Sequence, residues 1–203
     1  MRTIAFTLFA LVAFAANSVQ ELVAAAKAAP GRIDYGASDA GSAPHLAAEL
    51  FKMMAGIDLM PVYYKGTAPA LTDLIGGQIP VMFVSNISAL PHVKAGKLKA
   101  LGVTGAQRTV LAPEIPTIAE SGLAGYEAYG WYGIAAPART PGAVIARLHA
   151  EVAKIAQNPA MKSRLAAQGL ELVGNTPAEF DALIRAEIDK WRAVLKAAGV
   201  KPG

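Results

Sequence analysis

Cysteine is absent from this chain of 203 residues, which excludes a disulfide framework and any thiolate metal site. Histidine is scarce as well. The three, at 45, 92 and 149, lie far apart and show no ligand spacing. Charged residues make up 17% of the chain, and no run of five or six like charges occurs, so no nucleic-acid-binding tail is encoded. The net charge of +4 comes from scattered Lys and Arg and names no partner. What the chain does have is 54% hydrophobic residues. That content can bury a core, and it excludes a disordered, collagen-like or low-complexity protein. At this length one large domain or two small lobes fit.

The first sixteen residues read as a separate object. Arg2 precedes an apolar stretch from Ile4 to Phe14, and Ala13-Phe14-Ala15 supplies a small-x-small pattern. That is the grammar of a secretory signal peptide, so residues 1–16 are expected to be a leader directing the product to the periplasm. The stretch is shorter than the ~20 apolar residues a membrane span needs. The competing reading is an N-terminal core strand or helix.

Beyond it, strands alternate with helices. Ser18-x-x-Glu21 is a capping-box signature, followed by a stripe of Val19, Leu22, Val23 and Ala26 that Pro30-Gly31 ends. Strands are expected at 32–35, 59–63, 79–84 and 97–103. Helices are expected after the small-residue loop 36–42, at 69–75 and at 88–95. This alternation predicts an α/β fold with a parallel-type sheet flanked by helices. From Thr104 to Gly125 the pattern lapses into Pro- and Gly-rich chain, a hinge or linker candidate. The remainder predicts a strand at 129–135 and helices at 141–157, 159–169 and 177–198. Three parts result: an α/β ligand-binding lobe at 17–104, a hinge region at 105–128, and a mostly helical C-terminal part at 129–203.

The loop 36–42 is the most informative stretch. It follows a strand, precedes a helix and holds Ser38, Gly41 and Ser42. Free backbone N–H groups at a helix N-terminus, with hydroxyls beside them, form an anion site. A plain tight turn with Ser42 as N-cap explains the same residues. The turn Tyr64-Lys65-Gly66-Thr67 repeats the placement and adds a cation. If both lie at the C-terminal ends of neighbouring strands, both face one crevice, where open α/β sheets bind ligands. A hydrolase reading competes. Gly36-Ala37-Ser38-Asp39-Ala40 approximates a nucleophile elbow, with Ser38 as nucleophile and Asp73 or Glu114 with His149 as partners. Against it, Asp39 beside the serine would oppose a developing oxyanion. Asn86-Ile87-Ser88 fits the glycosylation triplet, and Trp131 and Tyr132 read as core or interface residues.

From Ser18 onward the chain resembles the substrate-binding proteins of tripartite tricarboxylate transporters, the Bug receptors. The likeness rests on Tyr-Gly-Ala-Ser-Asp-Ala-Gly-Ser-Ala-Pro-His-Leu (35–46) and Tyr-Lys-Gly-Thr-Ala-Pro-Ala-Leu-Thr-Asp-Leu-Ile-Gly-Gly-Gln (64–78). It continues through Leu-Pro-His-Val-Lys-Ala-Gly-Lys-Leu-Lys-Ala-Leu (90–101), Pro-Glu-Ile-Pro-Thr-Ile-Ala-Glu-Ser-Gly (113–122) and Trp131-Tyr132-Gly133. The resemblance implies a periplasmic-binding-protein-like receptor that closes on a small carboxylate and delivers it to membrane subunits of a transporter. It is not an enzyme, and no cofactor or metal is implied. The candidate ligand-binding set is Ser38, Asp39, Ala40, Gly41, Ser42 and His45 in and after the first loop, Lys65, Gly66 and Thr67 in the second, and Ser85.

Two departures from the family pattern qualify this. Family chains carry a Gly-rich ligand loop and most of a first lobe before the segment matching Ser18. Without them, helices 141–157 and 177–198 are expected to expose apolar stripes that favour self-association or recruitment of a partner. Binding itself is then expected to be impaired, leaving a non-binding interaction module as a further alternative. Secondly, many members place an aspartate after Met82-Phe83 that pairs with a ligand amino group. Val84-Ser85 stands here, favouring a mono- or dicarboxylate over an amino acid.

Overall fold

A computed structural model describes residues 4–12 and 16–199 of the chain. The apolar stretch at the start has a place in the sheet: β1, Ile4–Val12, is a strand with neighbours on both edges. Its second half pairs antiparallel with β4 (Val81–Ser85) and β5 (Lys99–Val103), Leu8 opposite Ser85 and Phe9 opposite Val103. Its first half pairs antiparallel with β6 (Tyr129–Tyr132) and β7 (Leu170–Leu172). Ile4–Val12 thus takes the place in the sheet that the core-strand reading describes. An export h-region and an interior strand are both short apolar runs, and only their partners tell them apart. Residues 13–15, which carry the cleavage pattern, lie outside the described residues.

The α/β half follows the expected alternation. Helix α1 (Val19–Ala28) buries Val19, Leu22 and Ala26. Its Ser18 cap accepts the Glu21 N–H at 3.1 Å, but the Glu21 carboxylate bonds the Asn17 N–H at 2.7 Å instead of that of Ser18, so the box closes one residue early. Strand β2 (Asp34–Ala37) lies parallel to both β3 (Met60–Tyr63) and β4. Helices α2 (Ala43–Ala55), α3 (Thr67–Ile75) and α4 (Asn86–Lys94) follow these three strands in turn. The sheet order is β3-β2-β4-β1-β5.

Strand β4 shows why the run Val81 to Val84 is apolar at every position. Val81 and Phe83 join one core with Tyr35, Phe51, Leu59 and Leu101, while Met82 and Val84 join a second with Leu71, Leu74, Leu90 and Val103. Side chains alternate across a strand, so a sheet covered on both faces needs both sets. Each fully buried large apolar side chain contributes roughly 1.5–3 kcal/mol.

The stretch 105–128 is irregular, as its Pro and Gly content predicts, yet it is packed. Thr117 bridges to Val103, Arg108 pairs with Glu120 at 2.9 Å, and Ile115, Ile118 and Tyr126 are buried. The Tyr126 hydroxyl donates to the Ala47 carbonyl of α2 at 2.8 Å. Helices α5 (Gly142–Gln157) and α6 (Pro159–Ala166) are weakly buried, and Val144, Leu148 and Ile155 of α5 stand about half exposed. The last helix, α7 (Pro177–Ala197), opens on a full Thr176/Glu179 capping box. Its Phe180 meets Trp131 edge-on at 5.4 Å. Its far end returns to the α/β half, where Val194 joins the core of Tyr35 and Phe51. The short strand β7 between α6 and α7 has no counterpart in the sequence reading, because three residues are too few for a periodic signal.

Since β1 is paired on both edges, a chain beginning at Ala16 is expected to lose its cooperative thermal transition by circular dichroism. The chain carrying residues 1–15 is expected to melt in one step.

Candidate functional site

Four strand ends share one edge. Strands β2, β3 and β4 run parallel, and β5 runs with them because β4 and β5 are both antiparallel to β1. Their C-terminal ends lie level with the middle of β1, whose first half continues beyond that edge to β6 and β7. The segments after Ala37, Tyr63, Ser85 and Val103 therefore open on one crevice, with β6 and β7 on its far side. This is the position at which open α/β sheets take ligands.

Helices α2, α3 and α4 start at that crevice, and none has an acidic residue in its first turn. Helix α2 is capped by Ser42, whereas the caps of α3 and α4, Gly66 and Ser85, make no side-chain cap hydrogen bond. Of the helices that do not follow these strands, α1 and α7 carry a glutamate in the first turn, Glu21 and Glu179, whereas α5 and α6 carry none. Negative charge is stabilised at a helix N-terminus. On α1 and α7 the protein supplies it; on the three crevice helices it does not. Gly66 sits at φ +102°, a conformation that side-chain-bearing residues rarely adopt. It brings bare backbone to the start of α3.

The loop after β2 is held from inside. The Ser38 hydroxyl donates to that of Ser42 at 3.3 Å, Ser42 N–H to the Asp39 carbonyl at 3.1 Å, and Gly41 N–H to His45 Nδ1 at 3.0 Å. His45 is 1% exposed, stacks on Tyr35 and places Nε2 3.2 Å from the Tyr63 hydroxyl. Beneath it, the buried Glu49 carboxylate accepts from the Tyr35 hydroxyl at 2.6 Å and from Lys52 Nζ at 3.0 Å. Burial pushes His45 below the ordinary imidazole value, with Glu49 acting against that and Lys52 with it. Burial and the Glu49 hydrogen bond push the Tyr35 phenol far up.

These contacts revise the expected roles. The N–H groups of Gly41 and Ser42 are spent within the loop, so neither donates to a ligand in this conformation. His45 is an internal strut of the loop. Ser38 and Ser42 are half-buried and Asp39 and Ala40 exposed at the loop tip. Lys65 is exposed, while Gly66, Thr67 and Ser85 are half-buried on the same edge. The partners invoked for a Ser38 nucleophile are elsewhere: Asp73 accepts from the Tyr64 hydroxyl at 2.9 Å, Glu114 is exposed in the 105–128 stretch, and His149 lies on α5. Both nitrogens of His45 are engaged.

Sequence reasoning missed Tyr35, Glu49 and Tyr63, and read Asn86 only as the start of a glycosylation triplet. A signal for Glu49 was present, because it interrupts the apolar run Ala47, Ala48, Leu50, Phe51. Asn86, the first residue of α4, is fully buried, and neither of its amide atoms has a hydrogen-bond partner. That burial closes the glycosylation triplet in the folded chain. A cavity of about 710 Å³ lies at the β5 end of the crevice, lined by 105–110, Glu127, Tyr129 and the 169–175 turn. Its size falls within the roughly 300–1,000 Å³ of small-molecule sites. The Ser38 loop stands at the other end of the same edge and is not part of its wall.

A profile of the tripartite tricarboxylate transporter family receptor, TctC, matches residues 1–200. The chain belongs to this receptor family. The chain is 34% identical over 180 residues to the UPF0065 protein in the tcbD-tcbE intergenic region of Pseudomonas sp. (strain P51), covering 88% of this chain and 54% of that protein. It is 32% identical over 185 residues to Protein BugT of Bordetella pertussis, covering 91% and 57%. The chain thus spans about half the length of these curated relatives. Among solved structures it is similar to R. palustris Rpa4515 with adipate, at TM-score 0.88 and 33% identity, covering 100% of this chain and 69% of that one. It is also similar to the periplasmic binding protein BugD, at TM-score 0.80 and 29% identity, covering 98% and 68%. MatC from Rhodopseudomonas palustris with bound malate follows at TM-score 0.80 and 25% identity, covering 95% and 67%. The periplasmic-binding-protein-like α/β fold expected from the sequence is the one observed.

Replacing Glu49 by Leu leaves the half-buried Lys52 ammonium with only Asp58, at 3.9 Å, and deprives the buried Tyr35 hydroxyl of its acceptor. Urea denaturation is expected to show a loss of about 3 kcal/mol. Tyr126→Phe, which removes one neutral hydrogen bond, is expected to cost only about 1 kcal/mol.

Proposed function

We propose that this protein is an exported solute-binding receptor whose crevice holds a small carboxylate for delivery to the membrane subunits of a tripartite tricarboxylate transporter. The observation that carries the proposal is the set of helix N-termini at the crevice, none with an acidic first turn and two without a side-chain cap. A ligand carboxylate supplies the negative charge there. The Ser38 hydroxyl and the exposed Lys65 stand beside these helix starts. Two solved relatives, described with adipate and with bound malate, support a dicarboxylate class. Val84-Ser85 after Met82-Phe83 supplies no carboxylate for a ligand ammonium, which favours an acid without an amino group.

The test is a thermal-shift screen of the chain against mono-, di- and tricarboxylates and amino acids, followed by titration calorimetry. A carboxylate at 100 times its dissociation constant is expected to add about 2.7 kcal/mol and raise the midpoint. On binding, the Ser38 hydroxyl turns its one proton from Ser42 Oγ to the ligand; hydrogen bonds to charged groups are worth about 1.5–3 kcal/mol, so Ser38→Ala is expected to weaken binding at least tenfold. Ser42→Ala acts chiefly on stability, through loss of the α2 cap, by ~1 kcal/mol. Unchanged affinity in Ser38→Ala would move the ligand to the β5 end of the crevice.

A further inference from the structure

The loop after β2 contains a hydrogen-bond chain whose direction is fixed by its first member. A backbone N–H can only donate, so the Gly41 N–H at 3.0 Å from His45 Nδ1 leaves that nitrogen without a proton. Neutral His45 then carries its proton on Nε2, 3.2 Å from the Tyr63 oxygen. The competing acceptor, Glu49 Oε1, lies 3.9 Å from Nε2 and already accepts from Tyr35 and Lys52. The Tyr63 oxygen therefore accepts, and the proton of Tyr63 points away from His45. Tyr63 ends β3 opposite Ala37 and is 52% exposed, beside the Ser38 loop. Its free donor faces the crevice.

We propose that His45 is a positioning residue that latches the ligand loop through Gly41 and orients the Tyr63 hydroxyl as a donor to the bound carboxylate, and that protonating His45 releases both. The ligand half of this inference rests on the receptor reading above; the latch does not. Protonated His45 would set an Nδ1–H against the Gly41 N–H, two donors at a distance that holds one bond. The groups facing the ring are Glu49 and Lys52 from α2, Tyr35 from β2 and Tyr63 from β3. The Glu49 charge that would favour imidazolium is shared with Lys52. A folded-state value below the ordinary imidazole one means that the latch is intact above pH 6.5 and fails as pH falls through the lowered value.

The experiment combines ¹⁵N NMR of the histidine rings and the Gly41 amide with calorimetry against adipate and malate from about pH 8 to about pH 5. His45 is expected as the Nε2–H tautomer, with the Gly41 amide shifting as His45 titrates. Affinity is expected to fall about tenfold per pH unit below the His45 transition. His45→Asn keeps an acceptor near the Nδ1 position and cannot protonate, so it should bind with little pH dependence over that range. Tyr63→Phe should bind about tenfold more weakly at the upper pH and keep the acid loss. An Nδ1–H tautomer, or a Gly41 amide indifferent to His45, overturns the latch. Wild-type affinity in Tyr63→Phe overturns the ligand contact. A wild-type chain that binds no carboxylate in the whole panel overturns the receptor reading and the Tyr63 contact together, while the NMR result decides the latch by itself.

Discussion

The crevice depends on the pairing of β1. Because one strand is hydrogen-bonded to β4 and β5 along its second half and to β6 and β7 along its first, the two parts of the molecule share a backbone ladder. The ends of β2 to β5 then necessarily face β6 and β7. A loop connection would have left that geometry to side-chain packing; a shared strand sets it through backbone hydrogen bonds that run in fixed directions. The C-terminal part reinforces it from outside, since α7 begins against Trp131 and ends in the core of the α/β half.

Upon that frame the electrostatics are arranged by omission. Helices α2, α3 and α4 begin at the crevice without an acid in the first turn; elsewhere α1 and α7 begin with one and α5 and α6 do not. The interior then braces the loop. Glu49, Tyr35, Lys52, His45 and Tyr63 form a connected polar set from the buried face of α2 to the loop after β2. Buried polar groups are costly unless partnered, and here each partner also fixes an orientation. Tyr35 and Lys52 hold Glu49, and Gly41 sets the His45 tautomer.

The sequence showed the alternation of strands and helices, both anion-type turns and the family likeness, because each is carried by residues adjacent in the chain. Ser42 as an N-cap and Gly66 at positive φ are local facts of this kind. The first segment carried two readings for a physical reason: Ile4 to Phe14 has the apolar content of a leader, and a strand that pairs on both edges has the same content. His45 was placed at the ligand on the strength of its position one turn into α2. Its burial under Tyr35, and its bonds to a glycine four residues earlier and a tyrosine eighteen later, depend on how β2 and β3 lie side by side. Strand β7 and the packing of 105–128 likewise had no periodic signal to read.

By itself, then, the sequence determined the alternation of helices and strands from Val19 to Val103, where those helices begin, and that glycine and serine rather than acids stand at the first and second turns. Those properties follow from local sterics, capping and hydrophobic period, which act over a few residues. Tertiary structure alone decided that β1 lies between two sets of strands, that four strand ends meet at one edge, and that His45 supports the loop after β2 from below. These depend on contacts between residues distant in sequence, and the hydrogen-bonding partners of such residues are chosen only when the sheet assembles.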